Sequence, residues 1–153
     1  MSSREQKMAS DKGKLFEEMG GTKIIEDITK IFYDKVYVHP WLKLFFEQIP
    51  QEHIERQQNA FMAGALGGPN LYCGQTPPAA HKHMNITHAL FEARQELLDE
   101  AFEEAKAGEL LIEKWQRIDD AFFNRIVKHA PEQCEKRYKT DTILDFPDPS
   151  KVR

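Results

Sequence analysis

The sequence predicts an all-α chain, and three observations carry that expectation. Apolar residues recur at three- and four-residue steps in several stretches, no stretch alternates with period two for long enough to make a strand, and glycine and proline punctuate the helical stretches. At 153 residues the chain reads as one domain with enough length for a single substantial core. Roughly six helices are expected, in a body over residues 14–130. A polar N-terminal extension over 1–13 and a polar C-terminal tail over 131–153 flank it.

The first element is a short helix at "KLFEEM", stopped by Gly20-Gly21, a permissive pair of the kind found just past helix C-termini. Thr22 is placed to cap the next helix, whose Ile25, Ile28, Phe32 and Val36 share one buried face. His39-Pro40 ends it, because proline disfavours helix in the residue before it. "WLKLFFEQIP" follows as an apolar corner between two prolines.

A helix is then expected from about Gln51 to Leu66, with Ile54, Phe61 and Ala65 on one stripe, broken by Gly67-Gly68-Pro69-Asn70. Residues from Leu71 to Ala80 read as loop, with Pro77-Pro78 suited to the first turn of a short helix that would carry His81. Thr87 is an N-cap candidate for a long helix to about Ala105, with Leu90, Phe91, Leu97, Leu98, Ala101 and Phe102 inward. After the turn at "KAGEL", a last helix is expected from Leu110 to about His129, burying Trp115, Ile118, Phe122 and Ile126. Pro131 closes it, and the proline-bearing tail is expected to drape on the domain or fray from it.

Composition narrows the function. The formal net charge is −4 and no basic stripe tracks along the chain, which argues against a nucleic-acid partner. Apolar runs are far too short for a membrane span, and "MSSREQKMASDKGK" lacks the apolar region of a secretory signal. A cytoplasmic setting is therefore expected, with Cys73 and Cys134 as free thiols.

The stretch "HKHMNITH" concentrates His81, His83 and His88. As a zinc site it fails on geometry, since His81 and His83 would stand about 200° apart on a helix and Thr87 interrupts the path to His88. No H-E-x-x-H occurs, and no histidine follows a glutamate by three residues, so the di-iron carboxylate pattern is absent. There is no G-x-S-x-G, no base can be assigned to Cys73, and Gly64, Gly67 and Gly68 end a helix without following a strand. A histidine phosphotransfer module competes, with Lys82 as the adjacent cation, although His81 lies close behind a Pro-Pro loop. A cofactor-free interaction bundle is the other alternative.

Taken in order, several pieces resemble the truncated haemoglobins, the small two-over-two globins, and most of all their group I. These are Gly20-Gly21, "FYDKV" at Phe32–Val36, Phe45-Phe46, "QQNAFMAGALGGP" at Gln57–Pro69, "YCG" at Tyr72–Gly74, His81, Ile86-Thr87 and Phe91. The likeness runs from about Leu15 to Ala130. It implies a globin-like two-over-two helical sandwich around haem b, with His81 as the proximal iron ligand. It further implies that Phe46, Ile54, Phe61, Tyr72, Ile86 and Phe91 contact the cofactor, with Ile54 where larger globins carry a distal histidine. Tyr33 and Gln58, with Gln57 assisting, would donate hydrogen bonds to a bound gas.

Such a protein is expected to bind oxygen, nitric oxide and similar gases reversibly, and to oxidise nitric oxide to nitrate with the help of a reductase. Peroxidase chemistry or gas and redox sensing is the runner-up. One departure stands out: the register from Ile86-Thr87 puts Arg94 where the family shows its ligand pocket an apolar residue or a tryptophan. A buried guanidinium needs a partner, so Arg94 must pair, reach solvent or point elsewhere.

Overall fold

The computed structural model describes residues 3–151. Among the described residues six α-helices form: α1 Ser3–Glu18, α2 Gly21–Val36, α3 Gln51–Ala65, α4 Pro77–His81, α5 His88–Glu104 and α6 Glu109–Ile126. Short 3-10 turns lie at Leu42–Phe46, Pro131–Gln133 and Pro149–Lys151. Helix α2 is the hub, packing on α1, α3 and α5, while α4 packs on α6.

The face of α2 follows its sequence period: Ile25, Ile28, Thr29, Phe32, Tyr33 and Val36 are all buried. Its start differs from expectation. Thr22 lies inside the helix, and the cap position belongs to Gly20, at φ +112° with no side-chain cap. That left-handed φ favours glycine, and a Cβ there would stand 2.8 Å from Ile24 Cγ2. The glycine pair therefore hinges α1 directly into α2. Helix α1 also begins well before "KLFEEM", at Ser3, and it sends Phe16 into the core cluster.

Thr87 caps α5 as expected, its Oγ1 accepting from Leu90 N–H at 3.2 Å. Inward residues of α5 and α6 meet in the centre, where Phe102 lies edge-to-face with the fully buried Trp115 at 5.4 Å. Two corrections concern helix faces and ends. Ala65 is exposed, and the buried residues of α3 are Met62 and Ala63. Helix α6 stops at Ile126 rather than near His129, because Val127 turns to extended backbone and Lys128 N–H donates to Ile86 carbonyl at 2.8 Å.

The C-terminal segment is docked. Glu135 N–H donates to Lys82 carbonyl at 2.8 Å, Leu144 N–H to His83 carbonyl at 2.9 Å, and Asn85 N–H to Leu144 carbonyl at 2.8 Å. Met84 and Leu144 form one parallel bridge. Further on, Trp41 Nε1–H donates to Phe146 carbonyl at 2.7 Å and the Phe146 ring meets Phe45 edge-on at 5.1 Å. No described helix is long and apolar enough to cross a membrane.

Candidate functional site

A cavity of about 250 Å³ lies among α2, α3, α4, α5 and α6. Its walls are mainly aromatic and aliphatic. Helix α2 contributes Phe32, Tyr33 and Val36, the 3-10 turn Phe45 and Phe46, and α3 Ile54, Gln57, Gln58 and Phe61. Tyr72, His81, Ile86 and Phe91 line it as well, so every residue singled out for the site from the sequence meets here.

His81 closes the five-residue helix α4, whose first turn is Pro77-Pro78. Its Nδ1 lies 2.6 Å from the Pro77 carbonyl oxygen. A carbonyl only accepts, so Nδ1 carries the proton and Nε2 keeps its lone pair. Burial lowers the pKa of His81 to about 4 against the opposing pull of the Pro77 bond, so the ring is neutral at physiological pH. Nε2 has no hydrogen-bond partner among the described residues. The neighbours go elsewhere: His83 is buried outside the lining with Nδ1 unpartnered, and His88 is exposed beside Glu92 at 3.4 Å. Nowhere among the described residues do three His, Cys, Asp or Glu side chains gather as metal ligands. Cys73 and Cys134 are both free.

Tyr33 is 6% exposed, and burial raises its pKa well above the ordinary phenol range, so the hydroxyl remains a donor. Among the described residues that hydroxyl makes no hydrogen bond; the ring is held edge-on by Phe32 at 4.9 Å and Phe46 at 6.0 Å. Gln57 and Gln58 are half-buried on the lining, one turn beyond Ile54. Phe61 is fixed edge-on by Tyr72 at 5.3 Å, whose hydroxyl donates to Gln75 carbonyl.

Arg94 points into this cavity and is paired. Its Nη1 donates to Asp119 Oδ2 at 3.0 Å and to Gln95 Oε1 at 2.8 Å, and Nη2 reaches Asp119 Oδ1 at 3.4 Å. The guanidinium lies over the rings of Phe32 at 5.6 Å and Phe91 at 5.4 Å. Burial opposes the charge, and the Asp119 carboxylate outweighs it, so the pKa of Arg94 is raised.

Sequence reasoning missed three charged residues around the cavity. Asp119 carried a signal: it stands four residues after Trp115 and three before Phe122, a carboxylate on a buried stripe. Arg137 and Lys128 carried none. Lys128 Nζ donates to the carbonyls of His81 at 3.0 Å, Met84 at 2.9 Å and Ile126 at 2.9 Å, tying the ends of α4 and α6 together. Lys128→Met should lower the unfolding free energy by about 2 kcal/mol, since three half-buried acceptors lose their donor. Denaturant titration checks this, and a loss below about 0.5 kcal/mol would mean water replaces the ammonium without cost.

The residues fit a flat apolar macrocycle held by one imidazole: an apolar chamber, a neutral histidine with a free Nε2, and an unpartnered buried phenol on the lining. Known proteins agree. Residues 14–132 match the family described as bacterial-like globin. A group 1 truncated hemoglobin of Tetrahymena pyriformis is 31% identical over 68% of this chain and 86% of its own length. The solved truncated hemoglobin of Tetrahymena pyriformis in its Fe(III) form superposes with a TM-score of 0.66 at 28% identity, over 73% of this chain and 96% of that one. A group II truncated hemoglobin from Bacillus anthracis gives a TM-score of 0.67 at 28% identity, over 74% and 89%. With sequence, fold and chamber in agreement, the chain belongs to the bacterial-like globins, the truncated haemoglobin family of haem proteins that bind small gaseous ligands.

Proposed function

We propose that the cavity holds haem b with His81 as the residue that would bind its iron, and that the chain binds oxygen reversibly and uses it to oxidise nitric oxide to nitrate. The observation that carries this reading is the sharing of one apolar chamber by His81, Tyr33 and Gln58. Haem iron supplies, when bound, the coordination position at which a diatomic gas is held. The chain supplies the rest. Pro77 carbonyl orients the His81 ring and keeps its proton on Nδ1, which leaves Nε2 free to ligate.

Tyr33 hydroxyl and the Gln58 amide, with Gln57 beside it, act as hydrogen-bond donors toward a ligand that gains negative charge on binding. Apolar Ile54, Phe61 and Phe91 exclude water, which strengthens each of those bonds. A neutral hydrogen bond contributes about 1–1.5 kcal/mol, equal to about five- to twelvefold in a dissociation rate. Tyr33→Phe and Gln58→Leu should each speed oxygen release by such a factor in stopped-flow measurements. Unchanged rates in both variants would remove these side chains from the ligand's surroundings. Nitric oxide turnover needs a reductase partner to recycle the protein, and its rate with a supplied electron donor tests that part separately.

Peroxide chemistry is the second reading, favoured by the Arg94–Asp119 pair on the chamber wall, a charged pair where an apolar residue or tryptophan was expected. Phosphotransfer loses support, because that role needs a solvated histidine and His81 lines an interior chamber.

A further inference from the structure

Three charged side chains line the chamber: Arg94, Asp119 and Arg137. Arg94 and Asp119 satisfy each other. Arg137 is different, since its partner Asp141 stands outside the lining. It comes from the C-terminal segment, past the last residue matched by the family. That segment is fixed by Glu135 N–H on Lys82 carbonyl and Leu144 N–H on His83 carbonyl, so the position of Arg137 is tied to the loop that follows His81.

Asp141 grips the guanidinium from one side. Arg137 Nε donates to Oδ2 at 2.9 Å, Nη2 to Oδ1 at 3.1 Å, and the backbone N–H to Oδ2 at 2.8 Å. Tyr138 covers a face of the guanidinium at 5.6 Å, and its hydroxyl accepts from Gln75 Nε2 at 3.0 Å. The side chain is partly exposed and the Tyr138 ring against it is 57% exposed, which puts the pair at the rim between chamber and water. Among the described residues Nη1 has no partner. A pre-organised guanidinium with a free nitrogen at the rim of an apolar chamber is a carboxylate-binding group, and a planar fork held by one carboxylate loses little freedom in binding a second.

We propose that Arg137 binds a carboxylate of the chamber's occupant, which on the haem reading above is a porphyrin propionate. The C-terminal segment is then part of the cofactor site, supplying an anchor from beyond the family's matched region. Among the lining cations Arg137 is the one without a lining counter-charge, so it suits an acidic group entering from the rim.

The test compares two pigments in the full chain: haem b, and its dimethyl ester, in which the propionates carry no charge. Transfer of each to an excess of a haem-scavenging apoglobin gives its loss rate. In the unsubstituted protein the ester should leave about tenfold faster than the free acid, the size expected for a partly exposed charge-assisted hydrogen bond. Arg137→Gln should collapse that ratio to about twofold or less by speeding loss of the free acid. Arg137→Lys, which keeps the charge, should hold an intermediate ratio and serves if the glutamine variant folds poorly. A full ratio in Arg137→Gln, or equal speeding of both pigments as from an undocked tail, would overturn the proposal while leaving haem binding intact. Absence of a Soret band in the unsubstituted protein would instead sink the haem reading, and the proposal with it.

Discussion

Asp119→Ala should destabilise the folded protein by about 3 kcal/mol, near the lower end of the cost of orphaning one member of a buried ion pair. The low end applies because Arg94 keeps a second acceptor in Gln95 when the carboxylate is gone. The carboxylate is the group that lets a guanidinium sit over Phe32 and Phe91, for without it the charge faces two aromatic rings and an apolar chamber. Removing both charges together is a different matter. Arg94→Met with Asp119→Leu should recover most of the loss, because an apolar pair of similar volume has no desolvation cost to offset. Denaturant unfolding at one fixed haem concentration checks the whole set, since bound cofactor adds its own stabilisation. A loss below about 1 kcal/mol for Asp119→Ala would show that Arg94 swings into water and that the pair is not structural.

The helices that bury a face were legible, because burial writes a period into the sequence. Ile25, Ile28, Phe32 and Val36 announced α2, and Thr87 announced the start of α5. Elements stabilised without a side-chain pattern were not. The core residue Phe16 stands near the C-terminal end of α1, so its last turns were the ones read as helix. Gly20 starts α2 through backbone conformation, which drew the cap assignment two residues too far, to Thr22. The docked tail depends on main-chain bonds to Lys82, His83 and Asn85, which leave no trace in residue type.

Within the chamber, the resemblance to a known family named residues from Tyr33 to Phe91 that the fold brings onto one lining. Periodicity alone would have left Tyr33, Gln57 and Gln58 as polar edges. Arg94 was visible as an anomaly, and its partner could have been sought on the 115–119–122–126 stripe of α6. Lys128 and Arg137 act from a segment without helical period, at positions that only the folded chain defines.

The other large effect is that of His81. Its short helix, its tautomer and its lowered pKa all serve one lone pair, that of Nε2. No other histidine among the described residues lines the chamber, for His83 is buried outside the lining and His88 is in solvent. His81→Ala should therefore lose the side chain that would hold the iron, releasing haem faster and removing the spectrum of a histidine-ligated globin. His81→Gly should regain that spectrum when free imidazole is added, because the space and the Pro77 acceptor remain. The most direct measurement is the visible absorption spectrum of the full chain after haem reconstitution, beside that of His81→Ala. A Soret band in the unsubstituted protein that is lost or displaced in the variant is the expected result; no band at all, or the same band in both, would contradict the account.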